Sequence, residues 1–366
     1  MRSLVRKLKI KKRVYSLNQL EKISHKSNNF GFLRLLLAYL VILSHSPELI
    51  DGNASRELLN RLTGSVTFGV FAVNGFFLIS GYLICQSFDQ SKTLFSYFLK
   101  RILRIYPAFV VIWILSVFVI TPLAGQAHLL ADINFLQWLR TLFKVFILSQ
   151  PHVEGFMFTP EIQTLNGSMW TIRYEFLCYL SIPLIALIGL NKRNVILLII
   201  LFLCTNVYLR YFDVNYSISM PFPISLQALT KLGLAFLVGM CFYQFRQSLV
   251  WNPKIAISCF LTILVFMTMR PYAELALILF GSYLLFYFAF HFKNERLQSI
   301  GTKNDISYGV YLYAWPVQAM FIKHDPSINP WLLTLYTIII VSALGFLSWK
   351  LVEKPFLDMK NKIKLN

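Results

Sequence analysis

The sequence predicts an all-α integral membrane protein, and three observations predict it. The chain of 366 residues is 57% hydrophobic and only 14% charged, far from the balance of a water-soluble domain. Apolar runs of about 17 to 25 residues, each long enough to cross the ~30 Å hydrocarbon core as a helix, recur along nearly its whole length. The runs are continuous and do not alternate, which excludes a transmembrane β-barrel.

Ten spans are expected, centred near Leu40, Phe77, Ile114, Leu180, Leu201, Phe236, Leu261, Tyr283, Leu312 and Ile340. An even number puts both termini on one side. Most of the 35 Lys and Arg residues fall in the tails and loops of that side, so both termini are expected to be cytoplasmic. The segment FLQWLRTLFKVFILS, Phe135 to Ser149, is short for a span and carries Arg140 and Lys144. It is read as an interfacial or re-entrant helix in the long outer loop. The expected organisation is a basic cytoplasmic tail over residues 1–30, one transmembrane domain over 31–353 and a second basic cytoplasmic tail over 354–366.

The net charge of +19 sits in short loops and in the tail RSLVRKLKIKKR. Topology and anionic lipid headgroups account for it, and no nucleic-acid partner is expected. Cys85, Cys178, Cys204, Cys241 and Cys259 stand singly with no CxxC pattern, so neither a disulfide nor a metal site is expected. The first apolar run lacks a small-residue cleavage site and is expected to be retained. No internal repeat and no matched pair of Gly/Pro-interrupted spans is visible, which weighs against a secondary transporter.

Against this apolar background a few polar residues stand out. In FLRLLLAYLVILSHSPEL, Arg34 and His45 are eleven positions apart, which on a helix is about 1100° and a rise of ~16 Å. They share one face and could hold the two ends of one elongated ligand. The plainer alternative is a snorkelling arginine and an interfacial histidine.

In KRILRIYPAF, Arg101 and Arg104 are i,i+3 neighbours at the cytoplasmic start of the third span. Guanidinium forks match phosphate oxygens, although a positive-inside anchor would have the same composition. Asn74, Gly75, Ser80 and Gly81 in NGFFLISGYLI allow either close helix packing or a slot between helices. LNGSMWTIRYEFLCYL brings Trp170, Arg173 and Glu175 to the outer end of the fourth span. A carboxylate at that depth needs a partner or a task, and Lys231 and His45 are the candidates.

Taken in order, these stretches resemble the bacterial membrane acyltransferase-3 family, which includes O-acetyltransferases of cell-surface polysaccharides. The resemblance covers nearly the whole chain. It rests on Arg34 with His45, FFLISGYL, RILRIYP, LNGSMWTIRYE, ISYGVYLYAWP and VEKPF. It implies a multi-pass protein of the inner (cytoplasmic) membrane that transfers an acyl group, most often acetyl, from cytosolic acyl-CoA to a hydroxyl of a glycan or lipid-linked sugar outside. Acyl-CoA is then a co-substrate, no bound cofactor is needed, and membrane lipids are the remaining partner. The histidine at His45 is implied to be catalytic. Arg34, Arg101 and Arg104 are implied to handle the CoA donor, with Glu353 in support. One departure is Ala314, where many members carry a second histidine.

On this reading the CoA phosphates rest on the arginines and the pantetheine arm passes Ser80 and Gly81 toward His45, which serves as general base. Glu175 is expected to orient the imidazole, or to bind the sugar together with Trp170. Glu353 is expected to order the arginines. Two rival classes fit less well. A glycerolipid acyltransferase would use HxxxxD, but the first aspartate after His45 is Asp51, one position too far. A transporter or flippase explains ten spans and intramembrane charge, yet not an arginine pair in register with Arg34 and His45.

Overall fold

The computed structural model describes residues 28–362 except 132, 215 and 219–223. The expected N-terminal tail therefore lies almost wholly outside the described residues. Helices account for nearly all regular structure. Among the described residues the β structure is one antiparallel pair, Ser217–Ile218 with Ile224–Ser225, in the register Ser217↔Ser225 and Ile218↔Ile224.

The principal helices are α1 (Phe30–Asp51), α2 (Phe68–Asp89), α3 (Leu94–Leu115), α4 (Phe135–Phe146), α5 (Trp170–Ile188), α6 (Lys192–Tyr211) and α7 (Leu226–Phe245). They are followed by α8 (Pro253–Met267), α9 (Ala273–Leu279), α10 (Gly281–His291), α11 (Ser307–His324), α12 (Pro330–Ser348) and α13 (Lys354–Lys362). Every expected span centre falls on one of these helical stretches. Among the described residues eight stretches are long and apolar enough to cross a membrane, α9 and α10 together making one of them. The other two expected spans coincide with shorter or more polar helices. One is α8, of 15 residues; the other is α11, which carries Gln318, Lys323 and His324. Helix α4 has 12 residues, so at 1.5 Å per residue it is too short to cross. It presents Phe135, Phe143 and Phe146 to its surroundings, as an interfacial helix does.

Most helices begin on a polar cap, whose oxygen satisfies an amide that hydrocarbon could not. Thr67 accepts from Val70 N, Thr93 from Ser96 N, Asn191 from Asn194 N and Ser225 from Ala228 N. Helix α1 ends at Gly52, whose φ of 71° closes the last turn back onto the Glu48 carbonyl. At the other end of α1, Asn29 Nδ2 donates to Phe288 O at 3.0 Å and Phe292 O at 2.6 Å. This tie fixes the start of α1 against the end of α10, where Asn29 N–H also donates to Ala289 O at 3.0 Å, a carbonyl that the helix terminus leaves open.

Helices α2 and α7 touch backbone to backbone. A Cβ on Gly81 would come within 2.0 Å of Phe236 O, and one on Gly239 within 2.1 Å of Leu78 O. Small residues that let helices approach this closely are the usual interface of membrane helices. Helix α11 lies in the middle of the bundle, with Val310, Leu312, Ala314 and Gln318 fully buried. The last span continues from α12 through a π turn, Trp349–Glu353, directly into α13. Helix geometry thus carries the chain past the tail boundary expected at residue 354 without a break.

Candidate active site: two cavities with a common wall

The expected arginines converge at one end of the bundle. Arg34 on α1 and Arg104 on α3 reach the same oxygen of Asp305, at 3.1 Å and 2.7 Å, and Ser307 Oγ donates to its other oxygen at 2.7 Å. Asp305 stands just ahead of α11 and is 7% exposed. Burial alone would raise its carboxyl, but the guanidiniums of Arg34 and Arg104 outweigh burial and hold it well below the usual carboxylate range.

Arg104 also faces Glu353 at 3.7 Å, an ion-pair distance too long for a hydrogen bond. The π turn swings Glu353 inward, where it is 1% exposed and accepts from Ser348 Oγ at 3.2 Å. Arg101 lies over the Tyr179 ring at 5.8 Å and donates to Ser87 Oγ at 3.2 Å.

The three arginines line a cavity of about 140 Å³, termed inner, together with Ser80, Glu175 and Tyr179. Glu175 Oε1 accepts from Ser80 Oγ at 3.0 Å and from Tyr179 OH at 2.5 Å.

His45 lies elsewhere, in an outer cavity of about 280 Å³ lined also by Glu48, Asn74, Trp170, Lys231 and Glu274. Its ring stands edge-on to Trp315, with centroids 5.2 Å apart. Trp315 is itself fixed by its indole N–H, which donates to Thr164 O at 3.1 Å, and by Gly167, where a Cβ would come within 2.5 Å of the ring. Only a glycine leaves that seat open.

Val73 and Tyr311 line both cavities and form their common wall. Tyr311 is held in place by its hydroxyl, which donates to Ser168 O at 2.6 Å and lies 2.7 Å from Thr171 Oγ1.

Three sequence expectations need correction. Glu175 meets neither His45 nor Lys231: it sits on the inner side of the wall with Ser80 and Tyr179, so it is not placed to orient the imidazole or to share a sugar with Trp170. Lys231 pairs instead with Glu274 at 3.2 Å, and Glu274 is also held by Arg210 at 2.5 Å and Asn74 Nδ2 at 3.0 Å. Gly81 faces α7 and not the cavity, because its missing side chain is what lets α2 meet the Phe236 carbonyl. It packs helices and does not line the route that Ser80 does.

Sequence reasoning did not single out Asp305, Glu274, Arg210, Tyr179, Tyr311 or Trp315. Asp305 immediately precedes the ISYGVYLYAWP stretch, and Glu274 interrupts the apolar run AELALIL. An acid in such a run was the available signal.

The family profile for the acyltransferase domain of the acyltransferase-3 type matches residues 28–349. An "O-acetyl transferase" of Shigella phage Sf6 is 30% identical over 350 residues, covering 91% of this chain and 97% of that protein. "Nodulation protein 10" of Rhizobium leguminosarum bv. viciae is 26% identical over 375 aligned positions, covering 94% and 96%. No solved structure matches the chain.

Proposed function

The chain belongs to the acyltransferase-3 family, and from that premise we propose that it transfers an acetyl group from cytosolic acyl-CoA to a hydroxyl of a cell-surface glycan across the inner membrane. The name of the phage relative, an O-acetyl transferase, supports the acetyl group. The observation that carries the reading is the pair of adjoining cavities, one lined by Arg34, Arg101 and Arg104 and the other by His45, with Val73 and Tyr311 between them.

In this account both termini are cytoplasmic and the arginine end of the bundle faces the cytosol. The guanidiniums bind the CoA phosphates, for which their fork geometry is suited. The pantetheine arm passes Ser80 and the wall, and the thioester reaches His45. The ~16 Å rise from Arg34 to His45 is of the order of the arm's reach. The acceptor hydroxyl attacks the thioester carbonyl carbon as the imidazole of His45 takes its proton. The new C–O bond forms, the C–S bond breaks, and the proton is returned to the departing CoA thiolate. General-base assistance of this kind is worth ~10²- to 10⁴-fold. Glu353 and Asp305 keep the arginines in position, and Trp170 attends the acceptor.

The test is incubation of membranes carrying the protein, or His45→Ala at matched abundance, with acetyl-labelled acetyl-CoA. Label should enter surface glycan and free CoA should appear only with His45 intact. Absence of both across a panel of acyl donors and acceptors overturns the reading and favours transport.

A further inference from the structure

The outer cavity gathers a set of polar atoms that the protein itself does not satisfy. Ser44 Oγ, His45 Nδ1, Asn74 Oδ1 and Ser168 Oγ are buried without a hydrogen-bond partner among the described residues, and all four residues line this one cavity. Ser44, Asn74 and Ser168 are 1%, 3% and 2% exposed. Unmade hydrogen bonds at buried atoms are costly, so such a cluster marks a place built to meet a ligand rich in donors and acceptors.

The charges in the wall narrow the class of ligand. Lys231 and Glu274 lie 3.2 Å apart, with Arg210 behind Glu274 and Glu48 in the same lining. The lining itself holds one cation, Lys231, against two carboxylates, Glu48 and Glu274, so the cavity has no positive excess that would select an anion. The pair offers a fixed donor beside a fixed acceptor, at a spacing close to that of the oxygens of neighbouring ring hydroxyls. Trp170 supplies an aromatic wall against which the apolar face of a sugar ring can lie.

We propose that the outer cavity binds one uncharged, polyhydroxylated ring of the acceptor, with Lys231 and Glu274 holding two adjacent hydroxyls and Trp170 backing the ring. Arg210 and Asn74 are positioning residues that fix the Glu274 carboxylate. Ser44, Asn74 and Ser168 meet further hydroxyls, and the hydroxyl to be acylated faces His45. The inference rests on the proposed acyl transfer and names which part of the acceptor the site reads.

The test uses the full-length protein, acetyl-CoA, and polysaccharide extracted from cells lacking the protein as the varied acceptor. Lys231→Met and Glu274→Gln should each raise the acceptor KM by ~10-fold or more, the range expected for a hydrogen bond to a charged group. The acetyl-CoA KM should stay at the wild-type value even where breaking the ion pair lowers the melting temperature, and Lys231→Arg should recover part of the loss. An acceptor KM that does not move, or that moves only together with the acetyl-CoA KM, overturns the proposal in favour of a structural ion cluster.

If the variants do not fold, competition on the wild type decides. Among methyl glycosides of the common hexoses at least one should compete with polysaccharide, and removal of either of two adjacent hydroxyls should weaken it by ~10-fold or more. No competing glycoside, or strongest competition by a uronate, overturns the proposal. A wild-type protein that transfers no acetyl at all instead overturns the transfer reading beneath it.

Discussion

Arg104 holds Asp305 at 2.7 Å, and the same Asp305 oxygen also takes Arg34. Two cations from separate helices are thus fixed by one acid. A pair of half-buried guanidiniums repels itself unless an anion intervenes, and Asp305 is that anion. In the proposed account it sets the spacing of the cations that receive the CoA phosphates. Asp305→Asn should raise the acyl-CoA Kd by ~10-fold or more, because guanidiniums no longer held at a fixed spacing must be ordered by the ligand itself. Isothermal titration with acetyl-CoA measures this.

The same pair gives a pH signature. Asp305 is held below the usual carboxylate range in the folded protein. Its ion pairs therefore contribute stability that is complete above the unfolded value of about 3.9 and is lost as pH falls through the lower folded value. The difference in melting temperature between wild type and Asp305→Asn should shrink as pH falls below about 4. A difference that does not shrink there would show that Asp305 is not held by Arg34 and Arg104.

Gly81 and Ser80 are neighbours in sequence with different work. Gly81→Ala places a Cβ 2.0 Å from the Phe236 carbonyl, so the protein should lose ~1–3 kcal/mol or fail to accumulate. Ser80→Ala should accumulate normally and alter only transfer kinetics. Size-exclusion profiles and melting of both variants, compared with their kcat/KM for acetyl-CoA, separate the two roles.

These outcomes reflect what a sequence can and cannot carry. Helix positions were legible because ten apolar runs are local features. The common face of Arg34 and His45 was legible for the same reason, since helical periodicity alone sets it. Which helices meet was not legible. Glu175 lies near Trp170 in sequence, yet it faces the inner cavity while Trp170 lines the outer one. The partners Asp305 and Glu274 come from segments far along the chain, and no local period links them to Arg104 or Lys231. Glycine at position 81 fits a slot or a close contact equally well until the facing helix is known.

The inner placement of Glu175 makes a kinetic prediction. Glu175→Gln should lower kcat/KM for acetyl-CoA, because it changes a wall of the cavity proposed to take the donor. It should leave the acidic limb of the pH–rate profile where it is in wild type, because Glu175 does not touch His45. A shifted limb would return Glu175 to the role of orienting the imidazole.

Val73 separates the two cavities and belongs to both. Val73→Trp should block passage between them while leaving the arginines untouched. Transfer should fall by ~10²-fold or more, the cost of losing alignment between reactants. Acetyl-CoA affinity should fall far less than transfer, because the arginines proposed to hold the phosphates are untouched. Equal losses of binding and transfer would mean that the wall lies off the path.

The central claim is that donor and acceptor meet from opposite sides of one membrane. It is tested most directly with sealed inverted vesicles, whose cytoplasmic face is outward, loaded with surface polysaccharide and given acetyl-labelled acetyl-CoA from outside. The account predicts label on the enclosed polysaccharide with wild type, none with His45→Ala, and free CoA in the outer medium. Label only on polysaccharide added outside the vesicles, or equal labelling with His45→Ala, would contradict it.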